Sequence, residues 1–407
     1  MWRYHPTKRQ FELFAEGTSN PWGVDFNDMG QAFCTACVIP HLYHMIQGGR
    51  YQRQAGNQFN KYTYKDIMTI ADHLHWNNAA KDQWAANNRS DAMGGGHAHA
   101  GAMIYLGGQW PDEYRNMIFM SNIHGNRVNH DILEKEGSGY AGHHGKDLLL
   151  MNDKWSRLIN LKYGPDGSVY MIDWYDKQAC HLNQPEVFDR TNGRIYKVSY
   201  GTPKLPADAP KDLQKATDAE LVQLQASNND YYVRRARQIL QERQSAEAKV
   251  SLNTMLNVAS DPAKRLRALW ALHCVGGDDE KVLMGQLKQA NEYVRAWAIQ
   301  LACEDGKASD ELIAEFAKLA SSDPSPVVRL YLASALPRIP AEKRWDIVRG
   351  LLSHEEDVND HNLPCMYWYG LEPLVSVDKV RALKLAAEGK IPMVREFVTR
   401  KMTAGAK

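Results

Sequence analysis

The pattern of hydrophobic and polar residues divides the chain into two parts with different periodicities. Before residue 200, short apolar and β-branched runs are separated by turns rich in Gly, Asn and Asp, which predicts β-strands. After residue 217, apolar residues recur at helical spacing, as in the stretch from Glu311 to Leu319, which predicts amphipathic helices. We therefore predict a β-rich domain over residues 1–200, a linker over residues 201–216 and a helical domain over residues 217–407.

The composition changes at the same boundary. Of the 15 His, 12 precede residue 200, as do 20 of the 29 Gly. Three prolines between Gly201 and Pro210 suit a semi-rigid extended linker. The sequence from Thr217 to Glu220 then has the Ser/Thr-x-x-Glu pattern of a capping box, so we expect a helix to begin there.

A hydrophobic residue followed by arginine recurs along the helical part. The arginines are Arg234, Arg267, Arg295, Arg329 and Arg395, at separations of 33, 28, 34 and 66 residues. Such a period is typical of helix pairs that stack into an α-solenoid, each pair burying the face that its neighbour exposes. We expect these arginines at equivalent positions of their pairs, where they form a ladder of hydrogen bonds and salt bridges between repeats.

Three segments of the β-rich part share one layout, which is a polar opening, a strand, a turn, a second strand and a polar loop. They open near Asn20, Gly94 and Trp155. The predicted strands cover residues 24–26, 32–36, 38–44, 102–106, 117–120, 158–161, 169–172 and 193–199.

Antiparallel hairpins bring the polar openings and polar loops together, because the first strand starts where the second strand ends. The histidines of the β-rich part concentrate at these positions. Residues there are therefore predicted to approach one another on one face, namely Asn20, His97, His99, His124, Arg157 and Asp173.

Charge and apolar content exclude several classes of protein. Lys and Arg (49) nearly balance Asp and Glu (48), so nothing favours binding to nucleic acid or to an anionic membrane. No uncharged apolar stretch is long enough to span a bilayer, and the N-terminus lacks the apolar region of a signal peptide. Six Cys are too few for a disulfide framework.

Three motifs of the β-rich part resemble the blades of soluble quinoprotein glucose/sorbosone dehydrogenases. They begin at Asn20 (Asn-Pro-x-Gly), Gly164 (Gly-Pro-Asp-Gly-x-x-Tyr) and Gly193 (Gly-Arg-Ile-Tyr-Lys-Val). The whole chain resembles the dehydrogenase-like proteins of planctomycetes and verrucomicrobia that are called membrane-bound dehydrogenases. That resemblance implies a six-bladed β-propeller followed by HEAT repeats, which form an armadillo-like helical solenoid.

Only about three blades fit before the linker, whereas a propeller closes with about four to eight. We therefore expect a multidomain β + α chain that is truncated at its N-terminus, with a partial propeller over residues 1–200 and a HEAT solenoid over residues 217–407. In the family, the catalytic base histidine precedes the motif at Asn20, in the part that is missing here.

The resemblance implies an oxidoreductase that acts on a sugar-like alcohol or aldehyde in the periplasm or elsewhere outside the cytoplasm. A cytochrome c domain downstream in the parent protein is an implied partner, and the solenoid is a scaffold for protein partners. The alternative is a non-catalytic propeller that binds a carbohydrate or a protein beside the same scaffold.

The resemblance also implies a pyrroloquinoline quinone site with calcium. Asn20, Pro21 and Arg157 match quinone-binding positions, whereas Ser19 and Ile159 stand where the enzymes have arginines. A turn at the start of the strand is the alternative role for Asn20 and Pro21. No covalent haem is expected, because Val38 follows Cys34-Thr-Ala-Cys37 where the haem-attachment motif requires histidine.

The candidate catalytic residues are His97, His99 and His124. His97 and His99 follow three glycines, and in a strand their spacing would place both rings on one face, as two metal ligands or as one ligand and a base. A flexible glycine loop with hydrogen-bonding histidines is the alternative.

Candidate substrate-binding residues are His41, His44, Asp173, Trp174 and Asp176. The two histidines flank an aromatic residue, so packing is their alternative role, and the aspartates flank Trp174 as in sugar-binding loops or in ordinary turns. His143 and His144 follow a Gly-Ser-Gly sequence and are expected in a solvated loop.

Overall fold

The computed structural model describes residues 1–18, 20–37, 40–75, 95–96, 98–177, 189, 191–206 and 209–404. Within this part of the chain, antiparallel sheets make up the first half and helices make up the second. Ser19, Val38 and His97, which entered the analysis above, lie outside the described residues.

The strands form small antiparallel sheets in chain order. β1 (Trp2–His5) pairs with β2 (Gln10–Leu13), and the next sheet consists of β3 (Pro21–Phe26), β4 (Ala32–Ala36) and β5 (Leu42–Met45). The central sheet consists of β6 (His99–Ile104), β7 (Ile118–Asn122), β8 (Arg127–Glu136), β9 (Gly139–His144) and β10 (Leu149–Leu150). The last sheet consists of β11 (Leu158–Tyr163), β12 (Val169–Asp173) and β13 (Arg194–Val198).

The central sheet packs against both neighbouring sheets. Successive residues of β6 point to opposite faces, so each face contributes to a different apolar cluster. Ile104 joins an apolar cluster with Phe33 and Leu42 of the preceding sheet. Met103 joins a second cluster with Leu161 of the following sheet. The described residues form stacked sheets and no closed barrel.

Every predicted strand overlaps an observed one, with the strand at residues 102–106 displaced to His99–Ile104. Two hairpins were not predicted, namely β1–β2 and β8–β9. The expectation for His143 and His144 was wrong, because both lie on β9, where His143 pairs with Ile132 of β8. The glycines and histidines of β9 hide the apolar alternation on which strand prediction depends.

The helical half begins as predicted. The Thr217 hydroxyl accepts a hydrogen bond from Glu220 N, and the Glu220 carboxylate accepts one from Thr217 N, which confirms the capping box. The helices are α1 (Asp218–Gln223), α2 (Asp230–Arg243), α3 (Ala246–Val258), α4 (Pro262–Cys274), α5 (Glu280–Gln286), α6 (Glu292–Ala302), α7 (Asp310–Ser322), α8 (Pro326–Ala335), α9 (Trp345–Leu351), α10 (Leu363–Leu371), α11 (Leu374–Val377), α12 (Lys379–Glu388) and α13 (Pro392–Ala404). Each of them is too short or too polar to cross a membrane.

The arginine ladder is present, but its frame differs from the prediction. Arg295 and Arg329 each donate to the backbone oxygen six residues earlier and to an aspartate 28 residues later, Asp323 and Asp357 respectively. Arg265, which donates to Ala259 O, has the same backbone contact.

Arg395 also follows the ladder pattern, since it donates to Gly389 O six residues earlier. Arg234 and Arg267 do not, and their assignment to the repeat frame was wrong. Besides contacts at and just before the start of α2, they reach the first half, through Asp25 and Asp28.

The two halves share a buried interface. Trp297 Nε1 donates to Met29 O at 2.8 Å, and Ser334 Oγ donates to Gln47 O at 2.8 Å. Gly30, at φ +70°, sits against the tryptophans of the helices, where a β-carbon would lie 2.5 Å from the Trp270 ring. This close approach fixes the turn between β3 and β4 against α4 and α6.

Candidate metal centre

Three histidines and one aspartate from separate parts of the first half converge between two sheets. His41 lies directly before β5, and Asp131 lies in β8. His73 and His75 belong to the segment that follows β5. The four side chains form a group whose ligand atoms could hold one metal ion.

Backbone hydrogen bonds position the segment that carries His73 and His75. Ile70 N donates to Leu42 O of β5 at 3.1 Å, and Gly142 N of β9 donates to Ile70 O at 2.8 Å. The segment is thus held between the edges of two sheets immediately before the first histidine.

The distances between the ligand atoms suit one metal ion. His41 Nε2 lies 2.8 Å from Asp131 Oδ2, and the Nε2 atoms of His73 and His75 lie 2.9 Å apart. Both of these Nε2 atoms lie 3.4 Å from Asp131 Oδ1, and the four ligand atoms lie within 4.8 Å of one another. Ligands of a tetrahedral ion at about 2.0–2.1 Å are separated by ~3.3 Å, so small movements suffice for binding.

Neighbouring groups orient two of the ligand rings. His73 Nδ1 lies 2.9 Å from Asp72 Oδ1, and His143 Nδ1 lies 2.6 Å from Asp72 Oδ2. When Nδ1 of His73 donates to this carboxylate, Nε2 keeps its lone pair for a metal ion, as in the carboxylate–histidine–metal arrangement. His75 Nδ1 lies 2.7 Å from His99 Nε2, which can orient His75 in the same way.

The group is buried but approachable from one side. The side chains of His41, His75 and Asp131 are 0% exposed, whereas His73 retains 16% exposure. Asp131 Oδ1 has no hydrogen bond of ordinary geometry among the described residues, although a buried carboxylate oxygen normally has one. A metal ion would supply the missing partner.

The electrostatics favour the ligand forms of Asp131 and His75 at neutral pH. Burial would lower the pKa of His73, but Asp131 and Asp72 raise that pKa, so a metal ion would have to displace a proton there. Burial would raise the pKa of Asp131, but His41, His73 and His75 hold that pKa well below its ordinary value. Burial lowers the pKa of His75 to about 3, so this ring is neutral and can donate its lone pair. Three imidazoles with one carboxylate suit Zn²⁺, Fe²⁺, Mn²⁺ or Cu²⁺ rather than Ca²⁺.

Several residues of the predicted polar face do lie together. Arg157 N donates to Asp173 Oδ1 at 2.6 Å, and Arg157 Nη1 lies 3.5 Å from Ile123 O, next to His124.

His99 pairs with Asn122 at the end of β7, two residues before His124. His99 therefore lies between this face and the metal group, whereas His41 belongs to the metal group itself. The catalytic roles stay predictions.

The guanidinium of Arg157 does not suit a quinone carboxylate. It donates to Ser156 O at 2.9 Å and to Lys177 O at 3.2 Å, and Arg157 is only 5% exposed. Ile159 offers no replacement cation. The residues present therefore do not fit pyrroloquinoline quinone in the manner of the family.

The remaining candidates make turn contacts. Asn20 O accepts from Cys37 N at 3.0 Å, with Asn20 at φ 44°, directly before Pro21 opens β3. Trp174 N donates to Arg157 O at 3.0 Å, and Asp176 accepts from the backbone of Asp189 at 3.2 Å. These contacts are those of the turn alternatives, and the binding roles stay predictions.

Sequence analysis missed three of the four metal-group residues, namely His73, His75 and Asp131. Two signals were available. The sequence Asp72-His73-Leu74-His75 carries two histidines at alternate positions beside a carboxylate. Asp131 follows His130 directly and stands between the apolar residues Val128 and Ile132, and a charged residue inside a buried strand requires a partner.

His44 is packed in the core, as its alternative role predicts, and its burial makes the stability of the folded chain depend on pH. Its ring lies against Phe33 and Tyr140, its Nε2 lies 3.2 Å from Gln31 Oε1, and burial lowers its pKa to about 3. The unfolded chain protonates His44 near pH 6.5, so folded-state stability is lost as the pH falls below that value. We expect this histidine to contribute a loss of about 2 kcal/mol between about pH 7 and pH 5.

Urea unfolding at both pH values would measure this loss in the wild type and in His44→Gln. The variant should show a smaller difference between the two pH values, whereas His5→Gln should change it less, because burial also lowers the pKa of His5 but this ring is only partly buried. An unaltered difference in His44→Gln would contradict the assignment.

A family model matches the first half of the chain. Residues 1–202 match the family described as a domain of unknown function (DUF7133). No protein of curated function matches the chain.

Two solved structures share only a limited likeness. One is a protein of Thermus thermophilus that carries the provisional assignment oxidoreductase (glucose dehydrogenase), at 15% identity and a TM-score of 0.29. The match covers 46% of this chain and 47% of that one, so the chain spans about half the length of that protein. The other is an engineered protein, at 18% identity and a TM-score of 0.28, covering 45% of this chain and 94% of the other.

Proposed function

We propose that the chain binds one transition-metal ion through His41, His73, His75 and Asp131, and that this ion serves an oxidoreductase acting on a sugar-like alcohol or aldehyde. The observation that carries the proposal is the convergence of three imidazoles and one carboxylate within 4.8 Å of one another. The chemistry of the donor set points to a metal rather than to the quinone of the resembling family.

The fold context supports this proposal. The sheets β3–β5, β6–β10 and β11–β13 are interpreted as consecutive blades of a propeller of the glucose/sorbosone dehydrogenase type, and the helices as HEAT repeats. Their first strands lie side by side, since β6 contacts both β3 and β11. In the arginine ladder, Arg295 and Arg329 each reach an aspartate 28 residues later, which supports the repeat interpretation.

His99 connects the metal group with the proposed substrate face. It contacts His75 on one side and pairs with Asn122 on the other, near His124 and Arg157. A polar substrate at this face would lie beside the metal group, and His99 or His124 could exchange a proton with it. The periplasmic location and the transfer of electrons to a cytochrome c domain belong to the same proposal.

A second candidate function follows from the burial of the ligands. Four protein ligands around a closed tetrahedral ion are typical of structural zinc sites. In that case the ion would join the sheets of a non-catalytic module that binds a carbohydrate or a protein.

Metal analysis of the purified chain tests the proposal. We expect about one ion of Fe, Mn or Cu per chain, and a dye acceptor should be reduced when a sugar alcohol or an aldose is added. Each alcohol oxidised to an aldehyde, or each cyclic aldose oxidised to its lactone, loses two protons to solvent and two electrons to the dye. Removal of the ion with a chelator should abolish dye reduction, and readdition should restore it.

Two results distinguish the alternatives. One tightly bound Zn²⁺ with no dye reduction would favour the structural zinc site. Absence of any stoichiometric metal after incubation with each of the four ions would contradict both functions.

A further inference from the structure

A cavity of about 600 Å³ lies between the two halves of the chain. Its walls come from the N-terminal residues, from the sheet β3–β5 and from α2, α4, α6 and α8. The volume and the mostly apolar lining are those of sites that bind small organic molecules. None of the four metal-group residues is among the described residues that line it, so this cavity is separate from the metal centre.

Three of the four arginines that line the cavity are neutralised by carboxylates. Arg3 pairs with Glu304 at 2.9 Å, Arg234 with Asp25 at 2.7 Å, and Arg267 with Asp28 at 2.9 Å. These ion pairs join the two halves and leave no charge for a ligand.

Arg237 is different. No carboxylate of the described residues lies within ion-pair distance of it, and its Nε is buried without an acceptor. Its Nη2 reaches only Gln225 Oε1, at 3.5 Å. Burial lowers its pKa, which is the direction expected for a guanidinium that lacks an adjacent anion.

Trp270 adds a second unmet donor beside Arg237. The guanidinium lies 5.3 Å from the centre of the Trp270 ring, and Trp270 Nε1 is also buried without an acceptor among the described residues. Trp270 and Trp297 meet edge to face at 5.1 Å and form an aromatic wall of the cavity. A buried donor without an acceptor is costly, and both Arg237 and Trp270 are among the residues that line the cavity.

We infer that this cavity binds an amphipathic carboxylate, with the carboxylate on Arg237 and Trp270 and the apolar body against Trp297. A carboxylate beside these two side chains neutralises Arg237 and accepts hydrogen bonds from the unmet donors after a small reorientation of the side chains. An apolar ring or alkyl chain occupies the rest of the space and stacks on the aromatic wall.

Titration with 2-naphthoate tests the inference, because Trp2, Trp270 and Trp297, three of the 11 tryptophans, line the cavity and a bound naphthalene ring quenches their part of the fluorescence. We expect saturable 1:1 quenching by 2-naphthoate and at least about 10-fold weaker binding of its neutral analogue 2-naphthalenemethanol. Arg237→Gln should weaken naphthoate binding by about 10- to 100-fold and leave binding of the alcohol unchanged.

Arg235→Gln is the matched control, since Arg235 lies on the same helix and is exposed. It should bind naphthoate as the wild type does. Trp270→Phe keeps the ring wall but removes the Nε1 donor, and should weaken naphthoate binding several-fold, which decides the question if Arg237→Gln does not fold.

The inference is overturned if naphthoate does not bind saturably, or if carboxylate and alcohol bind equally. Equal binding of naphthoate by Arg237→Gln and the wild type would also overturn it. Chelator-treated protein should give the same affinities, so the outcome does not depend on the metal centre.

Discussion

Replacing Asp131 with asparagine is expected to abolish stoichiometric metal binding, lowering it from about one ion per chain to less than about a tenth. Asp131 supplies the only carboxylate of the metal group and lies 2.8 Å from His41 and 3.4 Å from His73 and His75. The amide keeps the shape of the side chain but loses its negative charge and most of its affinity for a metal ion. Metal content after dialysis against a weak chelator measures the effect.

Two further variants should show an intermediate effect and no effect on metal binding. Asp72→Asn removes the carboxylate that orients His73 and also contacts His143, and it leaves all four ligands in place, so metal affinity should fall about 10- to 100-fold without loss of the site. Asp310→Asn, on the exposed surface of α7, should retain full metal content. Equal metal content in Asp131→Asn and the wild type would refute the proposed centre.

Replacing Arg329 with alanine is expected to destabilise the helical half by about 3–5 kcal/mol. Arg329 is 2% exposed and donates to both carboxylate oxygens of Asp357, at 2.7 Å and 2.5 Å, and to Asp323 O at 3.0 Å. Its loss leaves Asp357 as a buried charge that still accepts a hydrogen bond from the Tyr367 hydroxyl, at 2.6 Å, but has lost its bidentate cation. Urea unfolding followed by helical circular dichroism measures the change.

An exposed pair on a neighbouring helix provides the control. Arg349 pairs with Asp346 on α9, with both side chains more than half exposed, so Arg349→Ala should cost less than about 0.5 kcal/mol. The double variant Arg329→Ala/Asp357→Ala should be less destabilised than the sum of the two single variants. A cost below about 1 kcal/mol for Arg329→Ala would mean that the ladder contributes little to stability.

The outcome at the arginines shows where repeat prediction succeeds and fails. Arg295, Arg329 and Arg395 share one backbone contact, because each lies in the first turn of its helix. Arg267 resembled them in its local sequence, but Arg265 makes that contact and Arg267 reaches Asp28 in the first half. Local sequence predicts the helix but not which side of it faces a neighbour.

The candidate site, too, was predicted only in part from the sequence. Sequence alone predicted that His99, His124, Arg157 and Asp173 lie at strand ends, because turn residues and apolar alternation locate those ends. It did not predict that the interior of β8 would meet the segment after β5. His41 and Asp131 are 90 residues apart, and nothing in either local pattern encodes their contact.

The sequence by itself determined most element types, though not the hairpins β1–β2 and β8–β9, as well as the order of strands before helices and the helix start at Thr217. Periodicity and capping act within a few residues. The tertiary structure decided which polar residues meet. Stacking of β3–β5 on β6–β10 placed His41 against Asp131, and backbone bonds from β5 and β9 directed His73 and His75 to the same point. Such convergence depends on register and packing between distant segments, which become defined only when the sheets assemble.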